Sequence, residues 1–327
     1  MGYKTYRLPL PTPLRTAHGC WNVREGIIVR LEDEIGRVGY GEVAPIPWFG
    51  TESLEEADRI CRELGDSVTD EILDAVPQRF GCVRFALAAA RDRGASPFPE
   101  RRLPVAALLP PGRAGLKKLP KKLAAGFLAF KWKVGVGEVN SEIAMMDDLL
   151  AMMPASGRLR LDANGAWSHR LAARWCERCV GRPIEFIEQP IPPADEDGLR
   201  GLAKEYPVPI ALDESTVHLQ DMQRWHSRGW TGIYVVKPSL AGPLDELQRV
   251  VDELSLDVVL SSAIETTIGL RAVLAEALRG RLTKRALGAG RGEIFGQRVF
   301  DGPPLGPFLD EAWLVSANPE GVWNALN

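Results

Sequence analysis

Histidine is scarce in this chain. The four, His18, His169, His218 and His226, have no spacing that would bring two of them to one metal ion. Cysteine is equally thin: five residues, an odd and scattered set, which argues against a disulfide framework and suits a reducing compartment. Cys176 and Cys179 form a C-x-x-C with no second pair and no helix start beside it. Both are expected inside a helix that begins after Ser168, one of them facing a sheet. Excess charge of either sign is also missing. The balance of 40 basic to 43 acidic residues leaves −3, no long-range field for nucleic acid or an anionic membrane. The one basic cluster, Lys117, Lys118, Lys121 and Lys122, has the spacing of a solvated helix face. No apolar run approaches the roughly 20 residues that span a bilayer. The opening MGYKTYRLPLPTP lacks the apolar core of a secretory signal, and Tyr6 stands where a myristoylation signal carries Ser or Thr. The expected setting is the cytoplasm, and the expected partner a small-molecule substrate rather than nucleic acid or membrane. The glycines at 288, 290 and 292 come at the last strand candidate, not the first βα turn, so they are no dinucleotide fingerprint.

What is present falls into two textures. Residues 1–99 read as an α+β unit, with strands at Tyr3–Leu8, Gly26–Leu31 and Val38–Glu42 and helices at Ser53–Leu64 and Val83–Arg93. Two loops with glycine and aromatic residues, Thr16–Trp21 and Pro45–Thr51, interrupt it, and a Pro-rich break, Ser96–Pro104, closes it. Residues 100–300 alternate. Val105–Leu109, Phe130–Val134, Leu159–Asp162, Phe186–Glu188, Ile210–Asp213, Gly232–Lys237, Val258–Ser261 and Arg285–Gly288 are eight strand candidates with amphipathic stretches between most of them. That pattern predicts an α/β fold whose parallel strands close into a barrel. The tail, 301–327, shows no periodicity and is expected to pack back on the first unit.

Six side chains end six of these runs: Lys133 (FKWK), Asp162 (LRLD), Glu188 (IEFIE), Asp213 (PIALD), Lys237 (IYVVK) and Ser262 (VVLSS), at steps of 29, 26, 25, 24 and 25 residues. C-terminal strand ends converge on one mouth of a parallel barrel, where active sites are built. Asp162, Glu188 and Asp213 would be neighbours on that rim. Three oxygen ligands without His or Cys select Mg2+, or Mn2+, over zinc. Any one of the three could equally cap a helix or pair with a lysine; the coincidence of all three favours the ion. Lys131 and Lys133, two apart, share a face. Their mutual repulsion would lower the pKa of at least one, as a lysine base requires. Lys237 arrives from across the barrel. Together these groups suit proton abstraction beside a carboxylate, with the cation stabilising the charge that develops.

The same residues resemble the enolase superfamily. FKWKVG looks like its K-x-K strand, LRLDANGAW, FIEQP and ALDES like its three ligand motifs, and VVKPS like its sixth-strand lysine. The resemblance covers essentially the whole chain. It implies a modified TIM barrel, (β/α)7β, behind an N-terminal α+β capping domain. Lys237, and the lack of His in LSSAIET, favour the muconate-lactonising branch over the mandelate racemase branch. Within that branch SSAIET, GYGEVAPIP, the short length and Arg160 on the Asp162 face are most similar to a family of dehydratases. Those enzymes aromatise 2-succinyl-6-hydroxy-2,4-cyclohexadiene-1-carboxylate on the way to menaquinone or phylloquinone.

That resemblance implies roles. Lys133 would remove the α-proton and return it to the departing hydroxide, with Lys237 as a cation across the ring and Lys131 tuning Lys133. Asn164 and Glu214 would back the metal ligands. Ser261, Ser262 and Gly288 would hold the succinyl tail beneath Thr16, His18 and Trp21, with Trp48 able to close over the site. Arg160 would touch substrate or pair with a ring carboxylate such as Glu188. Other readings stay open. An N-succinylamino acid racemase would use Lys133 and Lys237 as opposed bases. A dipeptide epimerase typically carries Asp-x-Asp at strand eight, where this chain has RALGAGRGE. A Schiff-base lyase would need only Lys237, and a non-catalytic barrel would be expected to have lost at least one of six positions that are all intact.

Overall fold

The computed structural model describes residues 1–16, 19–92, 101–280, 282, 284–290 and 292–326; His18 and most of the Pro-rich break lie outside them. The first unit is a three-stranded antiparallel sheet, β1 (Gly2–Thr16), β2 (Gly19–Glu32) and β3 (Val38–Val43) in that spatial order. Its hairpin is longer than the sequence suggested. Leu14 pairs with Trp21 and Thr16 with Gly19, so the segment expected as a loop is the hairpin's far end. The prolines at 9, 11 and 13 hid this, but β1 is an edge strand, where a missing N–H is tolerated, and the register shifts between Pro9 and Leu14. Helix α1 (Leu54–Leu64) starts at a capping box in which Ser53 and Glu56 satisfy each other's backbone N–H. Helix α2 (Asp70–Asp74) is too short to leave a periodic signal. Helix α3 (Gly81–Arg91) lies directly on the sheet: a Cβ at Gly41 would sit 1.8 Å from the Ala86 carbonyl oxygen, so no larger residue fits there.

Eight parallel strands follow: β4 (Leu103–Leu109), β5 (Ala129–Lys133), β6 (Arg158–Asp162), β7 (Ile184–Glu188), β8 (Ile210–Leu212), β9 (Ile233–Val236), β10 (Val258–Leu260) and β11 (Leu287–Gly290). Each pairs with the next, β11 returns to pair with β4, and a parallel bridge between Ser261 and Gly288 closes the seam. The connections carry α4 (Arg113–Ala124), α5 (Val139–Met152), α6 (His169–Cys179), α7 (Glu196–Glu205), α8 (Leu219–Ser227), the pair α9 (Pro238–Ala241) and α10 (Leu244–Leu254), and α11 (Thr267–Arg279). This is the closed parallel barrel that the alternation predicted, in the (β/α)7β form that the resemblance implied. Phe186, Ala211, Ile233, Val235 and Val259 fill its interior, while Trp132, Trp175 and Trp225 pack between strands and helices. Cys176 and Cys179 are both buried in α6. No helix among the described residues is long and apolar enough to cross a membrane.

The tail forms α12 (Arg298–Asp301), β12 (Phe308–Leu309), antiparallel to β4, then α13 (Glu311–Ser316) and α14 (Pro319–Ala325). Val322 and Leu326 join a core with Tyr6, Leu8, Leu10 and Ile28. Lys4 Nζ donates to the carbonyls of Trp323 at 3.0 Å and Leu326 at 2.6 Å. The tail thus rests on the N-terminal sheet, through helices too short to show a 3.6-residue period.

One carboxylate joins the two units through four hydrogen bonds, three of them across the boundary. Glu42, buried at the end of β3, accepts from Tyr6 Oη at 2.6 Å, Thr266 N at 2.8 Å, Thr266 Oγ1 at 2.6 Å and Gly269 N at 2.9 Å. Three of these donors belong to the start of α11, so the capping unit supplies the anion that a helix N-terminus favours. Leaving a buried donor unsatisfied costs about 1–3 kcal/mol. Glu42→Ala is therefore expected to lower the unfolding free energy by about 4 kcal/mol in urea titrations. A loss below about 1 kcal/mol would show that the units are joined elsewhere.

Candidate active site

Alternation along the strands decides what reaches the mouth. Lys133 pairs in register with Asp162, and Asp162 with Glu188, so these ends stand level on adjacent strands. Asp213 and Lys237 directly follow β8 and β9. Lys131 Nζ lies 2.9 Å from Asp162 Oδ2 and 2.6 Å from Glu188 Oε1, while Lys237 Nζ bonds Asp213 Oδ1. Burial disfavours charge on both ammonium groups, but the carboxylates outweigh it: Asp162, Glu188 and Asp213 at Lys131, Asp213 and Glu214 at Lys237. Both pKa values are raised. The like-charge depression expected from the K-x-K spacing is thus reversed at Lys131, whose nearest charges are negative.

The carboxylates show the complementary strain. Burial, then the nearby Asp162, push Glu188 well above the usual carboxylate range. Burial and Asp213 raise Glu214 to about 7. Asn164, held in the left-handed region at φ 45, donates from Nδ2 to Glu214 Oε1 at 3.0 Å. Its own Oδ1, and Glu214 Oε2, are buried without a hydrogen-bond donor among the described residues. No three described His, Cys, Asp or Glu side chains converge tightly enough to grip an ion in this arrangement, in which Lys131 bridges Asp162 and Glu188 and Lys237 bonds Asp213. Two carboxylates from neighbouring strands already share one positive point at Lys131. Hard oxygen donors around a cation-sized position, with orphaned acceptors behind them, fit Mg2+ or Mn2+.

The MenC N-terminal domain family matches residues 3–93, and the enolase C-terminal domain-like family matches residues 116–275. The o-succinylbenzoate synthase of Thermosynechococcus vestitus is 39% identical over 87% of this chain and 86% of its own length. The chain belongs to the o-succinylbenzoate synthase family. A crystal structure of such a synthase from Thermosynechococcus elongatus BP-1, complexed with Mg in the active site, superposes with a TM-score of 0.85 at 37% identity, covering 99% of both chains. A dipeptide epimerase from Enterococcus faecalis V583 shares the fold, with a TM-score of 0.76 at 22% identity over 88% of each chain.

Arg160 departs from the expectation drawn from its position two residues before Asp162. Its guanidinium is buried, bonds Glu185 at 2.7 and 3.2 Å and lies 4.9 Å from the Phe186 ring centroid. Glu185 also binds Arg285, which in turn holds Asp257. Asp257 and Arg285 precede their strands, so this network lies at the end of the barrel opposite the mouth. The register break between Leu159 and Arg160 makes Glu185 an extra residue in β7 and turns it toward Arg160. Arg160 therefore neither lines the mouth nor pairs with Glu188.

Ser261 Oγ donates to the Gly288 carbonyl at 3.2 Å, and a Cβ at Gly288 would meet Ser261 Oγ at 2.9 Å, so these two residues form the barrel seam. Trp21 meets Trp48 edge-on at 4.9 Å. Four residues were missed. Phe49, in the 3₁₀ turn Pro47–Phe49, places its ring 4.8 Å from Lys237 Nζ, and His218 Nε2 holds the end of that turn through the Gly50 carbonyl at 3.0 Å. Leu108, level with Lys131 and 41% exposed, gives the mouth an apolar wall; strand alternation from Ala106 would have found it. Arg24 bonds Ile264, whose φ of 61 costs a β-branched residue roughly 1–3 kcal/mol.

Burial pushes the Glu185 carboxyl up, yet Arg160 and Arg285 outweigh it and hold its pKa below the usual value. This stabilisation is complete above the unfolded pKa of about 4.3 and fades as pH falls below it. Arg160→Met is expected to lower stability by about 2 kcal/mol at pH 7, less at pH 3.5, with the Michaelis constant unchanged. A raised Michaelis constant at unchanged stability would return Arg160 to the substrate.

Proposed function

We propose that this protein is a cytoplasmic o-succinylbenzoate synthase, a hydro-lyase acting on 2-succinyl-6-hydroxy-2,4-cyclohexadiene-1-carboxylate. The observation that carries the reading is an arc of three carboxylates flanked by Lys133 on one side and Lys237 on the other. Asp162, Glu188 and Asp213 would hold Mg2+. When bound, the cation supplies positive charge at the substrate carboxylate and so acidifies the adjacent C–H. Lys133 takes that proton. The electron pair moves into the ring as the C6 hydroxyl leaves, and the Lys133 ammonium returns the proton to it on the same face, releasing water and an aromatic ring. Lys131, released by the cation from Asp162 and Glu188, would tune Lys133 and touch the substrate carboxylate. Lys237, with Phe49 behind it, offers a cation to the opposite ring face. Leu108 bounds the ring, and the tail lies toward Ser262 and Gly288.

The placement of Lys133 and Lys237 on two sides of the carboxylates also suits racemisation of N-succinylamino acids, as an alternative or second activity. The decisive experiment follows the aromatic product by ultraviolet absorbance in Mg2+. Conversion by the intact protein, abolished by chelation and lowered at least about 10³-fold in Lys133→Ala, is expected. No conversion, with deuterium exchange into N-succinylamino acids instead, would transfer the assignment to the racemase.

A further inference from the structure

Arg24 lies on β2 with its side chain buried, and its guanidinium touches three segments around the mouth. Nη2 donates to the Ala44 carbonyl at 2.5 Å and Nη1 to Pro45 at 2.8 Å, just ahead of the turn that carries Phe49. Nε donates to Ile264 at 3.0 Å and Nη2 to Ala263 at 3.4 Å, in the segment after β10. Nη1 also reaches Glu25 at 2.9 Å, and the group stacks 5.1 Å from the Trp21 ring centroid. A planar fork of five N–H donors can meet all five carbonyls at once; a lysine ammonium, with three, cannot.

The segment after β10 needs such a hold. It starts at Ser261, whose N–H donates to Val236 beside Lys237 at 2.8 Å and whose hydroxyl closes the barrel seam. Three residues later Ile264 sits at φ 61, a conformation that persists only where its surroundings impose it. Glu265 Oε2 fixes the Ala263 N–H at 2.5 Å from within the segment, and Arg24 fixes two of its carbonyls from the capping unit.

We infer that Arg24 is a positioning residue. It keeps the 261–265 segment on its strained path, and so fixes the Ser261–Ser262 wall relative to the Phe49 turn. The kinetic consequence rests on the proposed dehydration; the structural consequence stands without it.

Hydrogen–deuterium exchange without substrate, read on peptides covering 258–266 and 44–52, is paired with steady-state kinetics on the cyclohexadiene carboxylate. Arg24→Met should speed exchange at least tenfold in both peptides and leave 129–152 unchanged. It should raise the Michaelis constant at least tenfold with kcat within threefold, and Arg24→Lys should recover less than half of that loss. Ile264→Gly, which adopts positive φ without strain, should alter the parent less than threefold yet restore at least half the loss in the Met background. Should Arg24→Met not fold, Arg24→Gln takes its place. Unchanged exchange, exchange accelerated throughout the chain, or an equal effect of Ile264→Gly in both backgrounds would each overturn the inference. An intact protein with no dehydratase activity would overturn the proposed function, and the exchange results would still decide the role of Arg24.

Discussion

Three carboxylates are held at one rim by a frame that gives them no way apart. Asp162, Glu188 and Asp213 end adjacent strands whose register is fixed by the barrel's own hydrogen bonds. Two unit charges about 4 Å apart repel by about 4 kcal/mol at an effective dielectric constant near 20. The arrangement therefore demands positive charge, and the chain meets part of the demand itself with Lys131 and Lys237. A divalent cation would meet the rest and release the lysines toward a substrate. Burial, and then the crowding of the carboxylates, raises the proton affinities of Glu188 and Glu214.

The capping unit supplies the opposite wall through a few long-range contacts. Glu42 caps the helix that follows the seventh barrel strand, Arg24 ties down the segment just before it, and Phe49 backs Lys237. Each reaches from the N-terminal quarter of the chain to a different element of the mouth. The mouth is thus rigid on its carboxylate side, where strands define it, and contingent on the capping unit where loops do.

This division explains what could be read in the sequence. The ladder from Lys133 to Ser262 was legible because strand ends recur once per βα unit and carry a distinct side chain at each. The face of Arg160 was legible too, since residues two apart in a strand share one. Its direction along the barrel was not, because that depends on Glu185 and a register break on the neighbouring strand. The hairpin tip was hidden by prolines that an edge strand tolerates, and the short tail helices by their length. Glu42 and Arg24 find partners more than 200 residues away, and no local pattern announces such a contact.

The central claim is that the three carboxylates form one cradle for a divalent cation. Titration of Mn2+ into chelator-stripped protein, followed by the free-ion signal in electron paramagnetic resonance, tests it without substrate. One ion per chain should lose its free signal, with Mg2+ displacing it and Asp213→Asn abolishing binding while leaving the circular dichroism spectrum unchanged. A free-ion signal that rises from the first addition, or binding that survives Asp213→Asn, would contradict the claim.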